Sequence, residues 1–86
     1  MILHEAIVTF GEQHQEGVAQ EECAELIQAI SKKHRGQKHN IPEEIADVEI
    51  MLEQLKIINH CHNEVKDIRK KKIERIHSLC QGCRSC

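Results

Sequence analysis

The chain has 86 residues and a formal net charge of −2, enough for one domain and too few for two. The slight acidity argues against a general nucleic-acid binder, and a hydrophobic fraction of 40% argues against compositional disorder. No run approaches the ~18 apolar residues of a membrane span, and Met1–Phe10 carries Glu5 without a basic start. The expectation is therefore a cytoplasmic protein with reduced cysteines.

Apolar residues recur at three- and four-residue spacing throughout, so the fold class is all-α. The first segment runs from about Ile2 to Gln15, with Gly11 as a weak point. The second runs from about Gly17 to His34 and stops near Gly36, a helix terminator. Lys32, Lys33 and Arg35 fall in its last turn, where the helix dipole favours cations. After the loop Gly36–His39, Asn40 reads as an N-cap, with Pro42 in the first turn and Glu43 three residues on. The third segment continues to about Asn59, and His60-Cys61-His62 reads as a turn. The fourth runs from about His62 to Leu79. Residues 1–79 thus form one all-helical domain, and 80–86 a cysteine-containing tail. Phe10 is the single aromatic residue, so Ile, Leu, Val, Ala, Met and Cys must build the core. Cys23 sits in an apolar pattern and reads as a buried thiol. A core this small is marginal alone, which favours self-association.

The position of the acids carries the functional signal. At ~100° per residue, Val18, Ala19, Cys23, Leu26, Ile27, Ala29 and Ile30 share one half of the second segment. Glu22 falls inside that half, and Glu25 lies at its edge. In the third segment Ile45, Val48, Met51, Leu52, Leu55 and Ile58 form the inward stripe. Glu44 falls in the middle of it, and Asp47 at its margin. A separation of three puts each pair on one helix face, and a short loop favours antiparallel neighbours, so the pairs can converge. Four converging carboxylates repel one another on a scale that competes with a total domain stability of about 5–15 kcal/mol. Protons or a cation must relieve that repulsion. Hard oxygen ligands select Mg²⁺, Mn²⁺ or Ca²⁺ rather than zinc. The plain alternative is a set of solvated acids flanking a helix interface and paired with lysines.

Charge is segregated: acid dominates Glu12–Glu25 and Glu43–Glu53, and base dominates Lys66–Arg75. In the fourth segment Lys72 takes a place in the stripe Val65, Ile68, Ile76, Leu79, and Arg75 is its neighbour. Lys72 and Arg75 could bind phosphate oxygens, the lysine as a point charge and the arginine as a fork. Lys72 could instead snorkel or pair with Asp67 or Glu74. Lys32 is a weaker phosphate candidate.

The segment Glu21-Glu22-Cys23-Ala24-Glu25-Leu26, followed by Glu43-Glu44-Ile45-Ala46-Asp47, resembles the paired acid signature of the MazG-like all-α nucleoside triphosphate pyrophosphohydrolases. Lys72-Ile73-Glu74-Arg75 is similar to the lysine–arginine pattern of that family's last helix. The resemblance extends from about Phe10 to Arg75. It implies an antiparallel helical bundle completed by dimerisation, with homodimers or homotetramers. It implies hydrolysis of NTP or dNTP between the α- and β-phosphates, giving the monophosphate and pyrophosphate. It further implies Mg²⁺, with Mn²⁺ as an alternative, held by Glu22, Glu25, Glu44 and Asp47. Lys72 and Arg75 would contact phosphate, and Glu22 or Glu25 would serve as base. His14 and Gln15 are candidates for touching the nucleotide.

Other readings stay open. The same acids could serve a non-catalytic nucleotide- or metal-binding module, or be incidental in a structural helical dimer. Cys80, Cys83 and Cys86 with His77 could form a Cys₃His zinc site, although a reduced tail fits the spacing better. Glu74-x-x-His77 is a lone copy of a motif that di-iron bundles need twice.

Overall fold

In the computed structural model, which describes residues 1–85 and the side chains through 82, four helices follow one another. They are α1 (Ile2–Phe10), α2 (Glu12–His34), α3 (Ile41–Ile58) and α4 (His62–Ser85). The described residues contain no strand, so the all-α expectation holds.

Backbone chemistry sets the boundaries. Gly11 separates α1 from α2 at φ +93°, a conformation that L side chains rarely adopt. The first segment therefore ends at Phe10, and Gln15 belongs to α2. Gly17 lies inside α2 and does not begin it, since one interior glycine costs only about 1 kcal/mol against a long run of helical hydrogen bonds. α2 ends in a Schellman motif. Gly36 takes φ +70°, its N–H donates to the Lys33 carbonyl, and the Gln37 N–H donates to that of Lys32. α3 ends the same way: the N–H groups of His60 and Cys61 donate to the carbonyls of Ile57 and Lys56. Here the left-handed position is filled by His60 at φ +52°. Asn40 does occupy the N-cap of α3 with Pro42 in its first turn, but its side chain makes no capping bond.

Helices α1, α2 and α3 pack on one another, and α2 and α3 share the largest interface. Ile7 of α1, Ala19 and Ala29 of α2 and Met51 of α3 are the buried apolar residues, and Gln15 and Gln54 are buried with them. The apolar half of α2 is wider than its contact with α3. Ala19 and Ala29 are buried and Val18 and Leu26 half-buried, whereas Ile30, Cys23 and Ile27 are exposed, Ile27 to 65%. The expected burial of the Cys23 thiol is thus not found, because no described residue covers that flank. Ile45 and Leu52 of α3 are exposed for the same reason.

α4 departs from the expected helical limits and from the bundle. It continues past Leu79 to Ser85, since the chain there offers no proline and only Gly82 to oppose it. It packs against α3 alone, beside the turn, and against neither α1 nor α2. His62 meets Glu53 there, Nε2 to Oε2 at 3.5 Å. The radius of gyration is 16.5 Å, well above the ~12 Å of a compact chain of this length. Within one chain the bundle is therefore three helices, with the fourth standing off. Among the described residues, no helix is long and apolar enough to cross a membrane.

Candidate metal centre

The antiparallel register of α2 and α3 is fixed by a buried amide pair. Gln15 Nε2 donates to Gln54 Oε1 at 2.7 Å. Gln15 also meets His14 (Nδ1 to Oε1, 2.9 Å), and Gln54 Nε2 lies 3.5 Å from the Met51 sulfur. Seven residues further along α2, and seven back along α3, the same register sets Glu22 against Asp47. Three more residues in each direction set Glu25 against Glu44. The expected convergence of the two acid pairs therefore occurs.

Carboxylate oxygens of Glu22, Glu25 and Glu44 all lie within 4.8 Å of one another. Asp47 completes the group through its contact with Glu22. Glu22, Glu44 and Asp47 are half-buried, and Glu25 faces solvent. One oxygen each of Glu22 and Glu44, Oε2 in both, is out of contact with solvent and has no hydrogen-bond partner. Buried acceptors are normally satisfied, so these two oxygens point to a missing donor or cation.

Electrostatics agree with the geometry. The Glu22 carboxyl is held above its ordinary value by its burial first, and then by the negative charges of Glu25, Asp47 and Glu44. Its side-chain contact with Asp47 acts in the same direction. Glu44 is raised likewise, by burial first, then by the charges of Glu25 and Asp47, and by its contact with Glu25. Among the described residues the ion pairs are Lys56–Glu53 and His62–Glu53. Neither involves these acids, so lysine pairing does not neutralise them.

A cavity of about 240 Å³ opens on the cluster, lined by Glu25, Gln28, Ala29, Lys32, Asn40 and Glu44. Lys32 therefore shares a cavity with two of the acids. Its place follows from helical spacing, because residues 25, 28, 29 and 32 form one stripe of α2. Lys72 and Arg75 are not brought to this cavity. Both are exposed on α4, which does not touch α2.

The donor set fits a hard divalent cation: carboxylate oxygens only, two of them buried without partners, and no sulfur or imidazole in the group. Of the other candidates, Cys80 is exposed, the Cys83 side chain and Cys86 lie outside the described residues, and Glu74 and His77 are exposed on α4. The residues that sequence reasoning undervalued are Gln15 and Gln54. Their signal was their spacing, seven residues from Glu22 and from Asp47 on the same helix faces. No family model matches the chain, and neither does any curated protein or solved structure.

Proposed function

We propose that the chain is a divalent-metal-dependent nucleoside triphosphate pyrophosphohydrolase of the MazG-like kind, cleaving NTP or dNTP to the monophosphate and pyrophosphate. The observation that carries the reading is the pair of buried, unpartnered carboxylate oxygens on Glu22 and Glu44, within an acid cluster that spans two antiparallel helices. Glu22, Glu25, Glu44 and Asp47 would hold Mg²⁺, or Mn²⁺ in its place. Such an ion, when bound, would supply charge neutralisation at phosphate oxygens.

The chain's own residues supply the rest. Glu25, the most solvent-exposed of the four acids, would take a proton from an attacking water, with Glu22 as the second candidate. Lys32, in the same cavity, offers a point charge to a phosphate oxygen. Lys72 and Arg75 can reach such a substrate only from another copy, which is consistent with a homodimer or homotetramer. The test is a panel of pure nucleoside triphosphates with Mg²⁺ or Mn²⁺, read by pyrophosphate release and product identification. Turnover that falls by about 10²–10³-fold in Glu44→Gln supports the reading, and absence of turnover across the panel removes it.

A second reading is a nucleotide- or metal-binding module without turnover. It is favoured by Lys32 being the sole cation among the described residues that line the cavity, which leaves a triphosphate's charge largely unmatched by them. Calorimetric binding of a nucleotide with no product would distinguish it.

A further inference from the structure

We infer that α4 lies along an anionic lipid surface, with its apolar stripe entering the bilayer interface and its flanking cations meeting lipid phosphates. The carrying observation is how α4 distributes charge around its circumference. At ~100° per residue, Val65, Ile68, Ile76 and Leu79 share one sector. From Ile68 onward that sector is uncovered: Ile68, Ile76 and Leu79 are 45%, 59% and 60% exposed. Lys72 sits in the middle of the sector, with Arg69 about 60° to one side and Arg75 about 60° to the other. The opposite half carries Lys66, Lys70, Asp67 and Glu74, which all line one shallow surface cavity of about 430 Å³. There cations and acids offset one another. Glu64, the acid nearest the stripe, stands in the first turn, where α4 meets α3. Among the described residues the ion pairs lie elsewhere, so Arg69, Lys72 and Arg75 keep their charge uncompensated beside the apolar stripe.

This layout matches a bilayer interface. A helix lying there turns its apolar face to the acyl chains and its acids to water, and cations beside the apolar face hold it against anionic lipid. Arg69 and Arg75, at the two margins of the stripe, each offer a fork to phosphate oxygens. Lys72 runs its aliphatic stem along the apolar surface and brings its ammonium group up at headgroup level. Val65 to Leu79 spans about 21 Å of helix, and α4 packs against neither α1 nor α2, so this length is free to lie on a surface. No described helix crosses a membrane, and the inferred placement is along it. The slight acidity of the whole chain does not oppose the contact, because salt confines it to charges within a Debye length of about 8 Å. A nucleic acid would take the cations and leave the apolar stripe in water, so lipid is the partner that uses both. The inference does not rest on the hydrolase reading, because the phosphate concerned is that of lipid.

The test is co-sedimentation of the full chain with lipid vesicles in physiological salt, without nucleotide. The wild type should pellet with vesicles of mixed phosphatidylcholine and phosphatidylserine and stay in solution with pure phosphatidylcholine. Arg69→Gln with Lys72→Gln should weaken binding by about fivefold for each charge removed. Lys66→Gln with Lys70→Gln removes the same charge from the far half, about a helix diameter of ~10 Å further from the lipid, and should cost a few-fold at most. Ile76→Ala with Leu79→Ala should weaken binding by about tenfold or more, a loss that a purely ionic contact would not show. All six positions are exposed, and glutamine and alanine favour the helix, so the fold is kept, with circular dichroism as the check. A wild type that ignores phosphatidylserine vesicles, an equal loss from the two glutamine pairs, or binding indifferent to the alanine pair overturns the inference. Binding to duplex DNA or RNA in place of vesicles assigns α4 to nucleic acid and overturns it equally.

Discussion

Gln15 and Gln54, 39 residues apart in sequence, meet through a 2.7 Å hydrogen bond with both side chains buried, at 6% and 3% exposure. Each amide satisfies the other in a layer otherwise made of Ile7, Ala19 and Met51. Truncating one partner leaves the other buried and unpaired. Gln54→Ala is expected to lower unfolding free energy by about 1–3 kcal/mol in urea denaturation. The double replacement Gln15→Leu with Gln54→Leu should recover most of that loss, because no amide is then stranded.

The acid cluster predicts a metal response that does not depend on catalysis. Mg²⁺ should raise the melting temperature, with a stabilisation that grows as the logarithm of its free concentration above the dissociation constant. Glu22→Gln with Glu44→Gln should raise the metal-free melting temperature and abolish the response to Mg²⁺. A wild-type protein whose melting is indifferent to millimolar Mg²⁺ and Mn²⁺ would contradict the cation site. If turnover is found, Glu44→Gln is expected to lower it by about 10²–10³-fold, as for loss of one preorganised electrostatic group.

The same two groups set the pH dependence. Their folded-state values are raised above the ordinary 4.5, so the folded protein holds protons that the unfolded chain has released. Their contribution to stability is fully present below about pH 4.5 and is lost as the pH rises through the raised values. Metal-free thermal melts should therefore show a decline across that window, and saturating Mg²⁺ near neutral pH should remove it. A flat metal-free profile that also persists in the Glu22→Gln, Glu44→Gln variant would show that the cluster is not strained.

His60 occupies the left-handed position of a Schellman motif at φ +52°. A non-glycine residue there carries a cost of about 1–2 kcal/mol, partly offset by the larger unfolded-state entropy of glycine. His60→Gly should raise stability by about 0.5–1 kcal/mol, measured as an upward shift of the urea midpoint with unchanged slope. A fall in stability would mean that the imidazole makes an interaction of its own.

The acids were legible because three-residue spacing and a position on an apolar stripe are properties of one helix at a time. Glu22 with Glu25, and Glu44 with Asp47, needed only an antiparallel neighbour to converge. Gly36 was legible too, since it lies at the end of a periodic run. His60 is less legible as the matching left-handed residue: histidine is one of the few non-glycine residues enriched at positive φ, but the turn His60-Cys61-His62 offers two of them. The buried amides were missed for a different reason: a glutamine on a helix face is ordinarily a surface residue, and only the pairing of two distant ones makes burial tolerable. The exposure of Cys23 and Ile27 and the position of α4 depend on what does or does not cover a face. Periodicity reports that a face is apolar and says nothing about which surface covers it.

The three-residue connection Asn59–Cys61 carries a long arm. At about 1.5 Å per residue, Leu79 lies roughly 25 Å along the axis from His62. A pivot of about ten degrees at that connection would swing Leu79 by about 4 Å over such a length. Among the described residues the arm meets the bundle at its base, beside Glu53, so a change in its direction leaves Ile7, Met51 and the paired amides in place. The direction of this one helix is accordingly the quantity that a neighbouring molecule can change at the smallest cost.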